Sequence, residues 1–203
     1  MSGHIDHIFY INLDKREDRK ELMNCELEKY KLNAERFPAV FNPNNGLVGC
    51  GYSHLRVLEL AKERNYKNVL ILEDDFYFIE SKDVVETELE KLFYHKPDFD
   101  VCFLSYNLHD GFVCETTPFL MRTLYSATAS GYIVNHHYYD KLIELYRINI
   151  PLLETTGQDW IYANDQIWKN LQATDNWFCF TKRLGKQRAG FSDNGNSYVD
   201  YNC

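Results

Sequence analysis

Val69-Leu70-Ile71-Leu72-Glu73-Asp74-Asp75-Phe76 is an aliphatic run that stops abruptly at three acids. Four consecutive aliphatic residues bounded by polar ones predict a strand buried on both faces, as in a parallel sheet. In open α/β sheets, ligands bind at the carboxyl ends of the strands, where this acidic cluster falls. Three adjacent carboxylates repel one another, and a cation relieves that repulsion. Hard oxygen donors suit Mg²⁺ or Mn²⁺, which bridge carboxylates and substrate phosphates. The competing reading is a solvated turn after a strand.

Upstream, His7–Leu13 predicts a first buried strand. Asp14 follows as an N-cap for a helix in the charged stretch Lys15–Lys31. A short strand is expected at Phe37–Val40, a turn-rich loop at Phe41–Gly46, and a helix over Gly49–Arg64, with Leu55, Leu58 and Ala61 as its core stripe. Downstream, the expectations are a helix at Asp83–Tyr94, a strand at Asp100–Tyr106 and a hairpin within 110–125. A strand at Ser130–Asn135, a helix at His136–Arg147, loop over 149–160, a helix at Asp165–Gln172 and a strand at Trp177–Thr181 complete the series. Alternating strands and helices imply one α/β domain of three layers around a mostly parallel sheet. From Gly185 the chain is rich in Gly, Ser, Asn and Asp, which suits an ordered lid or a flexible end.

Composition narrows the function. The 203 residues carry 22 Lys+Arg against 30 Asp+Glu, a net charge of -8 that disfavours general binding to nucleic acid or anionic membrane. The start of the chain shows no basic segment followed by an apolar core, and no run reaches transmembrane length. A cytoplasmic protein is expected. Homo-oligomerisation is left open. Six cysteines include no C-x-x-C pair, so they are read as reduced thiols rather than a structural zinc site.

Four segments together resemble glycosyltransferase family 25, the lipopolysaccharide and collagen galactosyltransferase type. They are Ile11-Asn12-Leu13-Asp14-Lys15-Arg16-Glu17-Asp18-Arg19, Gly49-Cys50-Gly51-Tyr52-Ser53-His54, Leu70–Asp75 and Ala127-Thr128-Ala129-Ser130-Gly131-Tyr132-Ile133. They lie in the family's order between about residues 5 and 145. Further on, Asp165–Gln172, Gly185-Lys186-Gln187 and Phe191-Ser192-Asp193 look like a subgroup of short family-25-like proteins. The resemblance implies a GT-A-like nucleotide-binding sheet, a UDP-sugar donor, a divalent metal (Mn²⁺ or Mg²⁺) and inversion at the sugar. The extra domains of the collagen enzymes are not expected within these 203 residues, so acceptor specificity does not carry over.

On this basis the metal ligands are Asp75 and Glu73, with Asp74 beside them. Asn12, Asp14, Arg16 and Arg19 would meet the nucleotide, since a guanidinium grips phosphate in bidentate fashion; a capped, solvated helix start explains them equally well. Ser53 and His54 are read as opening a helix whose amino end favours anions, with His54 as readily a packing residue. His136-His137 reads mainly as surface or capping, although a late His can complete the metal shell in GT-A enzymes. An inverting transfer needs a base for the acceptor hydroxyl. Asp165, on a helical face with Ile161, Trp168 and Gln172, is the first choice and Asp159 the second. A simple N-cap role competes for Asp165, and Trp160 and Trp168 are sugar-stacking or core residues.

The expected activity is metal-dependent transfer of a hexose, galactose or glucose, from a UDP-sugar to a hydroxyl on a glycan or protein. An inactive nucleotide-sugar or carbohydrate-binding protein, and a nucleotidyltransferase or phosphohydrolase, are the alternatives.

Overall fold

The computed structural model describes residues 3–192 and 197–203. Its first three strands are β1 (His7–Asn12), β2 (Glu35–Pro38) and β3 (Asn68–Glu73), with α1 (Glu17–Tyr30) and α2 (Gly46–Glu63) between them. β4 (Phe76–Phe78), α3 (Lys82–His95), β5 (Val101–Phe103) and the hairpin β6 (Asn107–Val113) and β7 (Leu120–Ala127) follow. Then come β8 (Gly131–Asn135), α4 (Tyr139–Thr156), α5 (Asp159–Tyr162), α6 (Lys169–Thr174), β9 (Trp177–Phe180), β10 (Gly185–Gln187), β11 (Gly190–Ser192) and β12 (Ser197–Val199).

Eight strands form the central sheet in the order β2-β1-β3-β8-β5-β9-β7-β6. Six run the same way, while β8 and β7 oppose them, so the sheet is mixed in its pairings but mostly parallel in direction. The aliphatic run works on both faces, as its composition predicts. Val69 and Ile71 of β3 join Phe9 and Ile11 of β1 in a core closed by α2 and α4. Leu70 and Leu72 join Ile8 and Tyr10 in the opposite core, closed by α1 and α3. Two helical layers thus sandwich the sheet. Among the described residues no helix is long and apolar enough to cross a membrane.

The largest departures from expectation lie between residues 149 and 172. α4 does not end near Arg147 but runs to Thr156 with Pro151 inside it. Its stripe Leu142, Ile143, Tyr146, Ile150, Leu153 stays buried across the proline, so core packing outweighs the missing amide donor. Gly157 ends the helix in the left-handed region, at φ 66°. The helix expected at 165–172 begins only at Lys169, and residues 164–168 are turns.

Candidate functional site

β1 and β3 are parallel neighbours, so their carboxyl ends open at one edge of the sheet. A cleft of about 510 Å³ lies there, lined among others by Arg19, Cys50, His54 and the acids 73–75. Three loops frame it. The β1 exit leads into α1, the segment after β2 leads into α2, and the acidic turn leads into β4. Asn44, Asn45 and Gly46 bring the amino end of the 18-residue α2 to the cleft, with Asn45 as its N-cap accepting from the Leu47 amide.

The strand ends at Glu73, and its alternation ends with it. Asp74 and Asp75 both turn toward α1, where Arg19 Nη1 donates to Asp74 at 2.9 Å and to Asp75 at 2.8 Å. Glu73 points the other way, to α2, where it accepts from His54 Nε2 at 3.1 Å and meets Cys50 Sγ at 3.7 Å. The two acids expected as metal ligands, Glu73 and Asp75, are therefore turned to different helices.

Asn12 stands behind Asp74. It donates to that carboxylate at 2.8 Å and accepts from Arg36 Nε at 2.9 Å. Asp75 also accepts from Gln187 Nε2 at 3.1 Å, and its carbonyl accepts from the Arg188 amide at 2.7 Å. The segment after β9 thus laces onto the acidic turn, with β10 pairing antiparallel to β4. Among the described residues, Asp75 Oδ1 is buried with no hydrogen-bond partner.

Burial, then the charge of Glu73, push the Asp75 carboxyl up to about 7 against the pull of Arg19. Burial raises Asp74 as well, with Arg19 and Asn12 opposing. Burial works against the Arg19 charge, but Asp75 and Asp74 outweigh it and the guanidinium is raised. Three carboxylates with one guanidinium leave two negative charges when all are ionised, the charge of one divalent cation.

Several site expectations need correction. Asp14 does not cap α1; Arg16 occupies the cap position, and its side chain bonds elsewhere rather than capping the helix. Asp14 is exposed and accepts from Arg36 at 2.6 Å, outside the cleft lining. Ser53 and His54 do not open α2, because it begins at Gly46. Ser53 is wholly buried, bonded to Val40 N at 2.8 Å and Gly49 O at 2.7 Å.

Arg16 donates to Asp18 and to the Phe191 carbonyl, and Arg19 is the inner partner of the acids rather than a solvated charge. Asp165 lies in a turn, not on a helical face and not at an N-cap. It accepts from Thr128 N at 3.0 Å and Gln166 Nε2 at 3.0 Å. Asp159 is exposed and accepts from the Trp160 amide at 2.8 Å. Neither aspartate lines the cleft. Trp168 is fully buried in the core and Trp160 is 67% exposed away from the cleft.

β8 runs against β3, so His136-His137 leave it at the far edge. They bond Lys67 O and Asp100 there. Asp193 lies outside the described residues. Gln187, Arg188 and Lys15, whose ammonium sits 5.2 Å from the Phe41 ring centroid, join the site beyond the expected set. In the sequence, only the Gly185-Lys186-Gln187 segment hints at the first two.

The sequence model of the family described as "Glycosyltransferase family 25 (LPS biosynthesis protein)" matches residues 44–156, just over half of the chain. The chain belongs to glycosyltransferase family 25. The match takes in α2, the acidic turn and β8, and leaves the Asn12–Arg19 segment outside.

A "Glycosyltransferase 25 family member" of Drosophila pseudoobscura pseudoobscura is 34% identical over 101 aligned residues, covering 36% of this chain and 16% of that protein. "Procollagen galactosyltransferase 1-B" of Xenopus laevis is 29% identical over 127 residues, covering 49% of this chain and 21% of that protein. The chain therefore spans about a sixth to a fifth of the length of these curated relatives. Among solved structures, a mannose-1-phosphate geranyltransferase from Thermus thermophilus superposes with a TM-score of 0.49 at 7% identity, covering 87% of this chain and 59% of that one. The mostly parallel sheet between two helical layers agrees with the GT-A-like three-layer architecture that the family resemblance implies.

Proposed function

We propose that this family 25 chain is a glycosyltransferase that moves a hexose from a UDP-sugar to a hydroxyl acceptor on a glycan or protein. The observation that carries the reading is the buried Oδ1 of Asp75, without a partner among the described residues, beside Glu73 at the edge where β1 and β3 end. An orphaned carboxylate oxygen with a surplus of negative charge around it fits a hard divalent cation. Asp75 would hold it, as Mn²⁺ or Mg²⁺, with Glu73, turned to α2, adding charge beside it rather than a ligand atom; when bound it would neutralise charge developing on the departing diphosphate.

The protein's own groups support the same chemistry. Arg19 holds both aspartates in place, and Asn12 orients Asp74. The amino end of α2 turns the positive end of its dipole to the cleft, the sign a diphosphate needs. The sugar C1–O bond to UDP breaks as the acceptor oxygen bonds to C1, and the hydroxyl proton passes to water in the open cleft. Asp165 and Asp159, the bases expected from the sequence, lie outside the cleft lining. Inversion is what the family resemblance implies.

A donor panel tests the reading. Nucleotide-diphosphate sugars and nucleoside triphosphates are each incubated with Mn²⁺ and a mixed-glycan acceptor, and nucleotide release is measured. Release of UDP from one UDP-hexose, lost in Asp75→Asn, is expected. Triphosphate turnover without sugar transfer, or UDP binding without any release, contradicts it.

A further inference from the structure

Cys50 and His54 are four residues apart on α2, so both side chains fall on one helical face. That face meets the last residue of β3, Glu73. The thiol sulfur, an imidazole nitrogen and a Glu73 oxygen lie within 4.8 Å of one another, and all three residues line the cleft. Three protein donors with a fourth position left open is a common way for proteins to hold zinc at a cleft, and a sulfur–nitrogen–oxygen set suits a borderline-soft ion rather than Mg²⁺.

The surroundings are those of a supported site. His54 is fully buried, and its other ring nitrogen, Nδ1, sits 2.6 Å from the Tyr132 hydroxyl. That hydroxyl fixes the ring and presents Nε2 to Glu73. Asn164 Nδ2 approaches Cys50 Sγ at 3.9 Å. Glycines flank the cysteine and set its depth. A Cβ on Gly49 would lie 2.4 Å from the Val40 carbonyl oxygen, and one on Gly51 would lie 3.1 Å from Ile150 Cγ1. α2 therefore packs closely enough on both sides to bring Cys50 to the strand end.

We propose that Cys50, His54 and Glu73 form a site for a thiophilic divalent cation, Zn²⁺, separate from the hard-cation position at Asp75. Binding releases the Cys50 thiol proton, leaves a thiolate, a neutral imidazole with Nδ1–H donating to Tyr132, and a carboxylate around the ion, and keeps one coordination position toward the cleft. An ion there holds Glu73 on α2. The site needs no C-x-x-C spacing, because helix periodicity supplies two ligands and the sheet edge the third. It stands whether or not the chain transfers sugar.

Co²⁺ reports such a site directly through a thiolate-to-cobalt charge-transfer band in the near ultraviolet. Untagged protein, stripped with chelator and dialysed, is titrated with Co²⁺ and then with Zn²⁺. The expected result is a saturating band that Zn²⁺ displaces, absent in Cys50→Ser and in His54→Gln, and retained in Asp75→Asn and in Cys25→Ser, which removes the exposed thiol. Tyr132→Phe weakens Zn²⁺ binding about tenfold. Circular dichroism establishes that each variant is folded, and His54→Gln decides the matter if Cys50→Ser is not. No band in the wild type, a band that survives loss of Cys50 or His54 in a folded variant, or one that disappears with Cys25 overturns the proposal.

Discussion

Arg19 decides how three acids coexist at the end of a buried strand. Its guanidinium is held between two aspartates that are themselves almost wholly buried. Removing one member of a buried ion pair leaves uncompensated charge and costs about 3–5 kcal/mol. Arg19→Ala should lose that much unfolding free energy in urea titrations, and Mn²⁺ should restore part of it by occupying the same electrostatic hole.

Asp75 gives a pH signature. Its folded carboxyl is held near 7, above its value of 3.8 in the unfolded chain, so between those values the folded state binds the extra proton. Stability of chelator-treated protein is thus fullest below about pH 4 at this group and falls as pH rises through 7. Thermal midpoints across that range, compared with Asp75→Asn, check the sign. The acids themselves are legible in the sequence, because an apolar run ending in three carboxylates is a local pattern. Their partner is not, since Arg19 is 55 and 56 residues distant and also fits a solvated helix start.

At the level of elements, local rules hold where the core agrees with them and fail where it does not. Pro151 argues for a break, yet the buried stripe of α4 runs past it. The proline is exposed and lies outside the cleft lining, so Pro151→Ala should regain an amide donor at little cost elsewhere. A gain of about 2 kcal/mol, after allowing for the freer unfolded chain, is expected by chemical denaturation.

The opposite sign is expected where β4 meets β8 and β10. The ring of the fully buried Phe76 packs against Gly131 and Gly185, and a Cβ on Gly131 would come within 2.5 Å of it. Gly131→Ala should destabilise by about 1–3 kcal/mol through overpacking, and a larger-to-smaller change at Phe76 should relieve the clash in the double variant. Sequence patterning locates β8 but offers no means to foresee β4 and β10, three-residue strands without a period of their own.

Across the whole molecule, the fold follows from strands whose successive residues feed two different cores, and that alternation is visible in the composition of β1, β3 and β5. What it does not encode is which strands reverse. β8 lies between β3 and β5 and opposes both, which sends His136-His137 to the far edge and clears the near edge for α2, the acidic turn and the segment from Gly185. The last of these comes from the far end of the chain. Gln187 and Arg188 bind Asp75, and the Gln187 amide donates to the Cys203 carbonyl at 2.5 Å.

The site is thus assembled from four separate stretches of sequence, and only the acidic turn and the Cys50–His54 helix announce themselves locally. The central claim is that the turn at Asp75 grips a cation that clamps a nucleotide diphosphate. The most direct measurement is the thermal midpoint of wild type and Asp75→Asn with UDP, with Mn²⁺ and with both together. The account predicts a rise in the wild type only with both ligands, worth about 2.7 kcal/mol at a hundredfold excess over Kd, and none in Asp75→Asn. No shift in the wild type, or an equal shift in the variant, would contradict it.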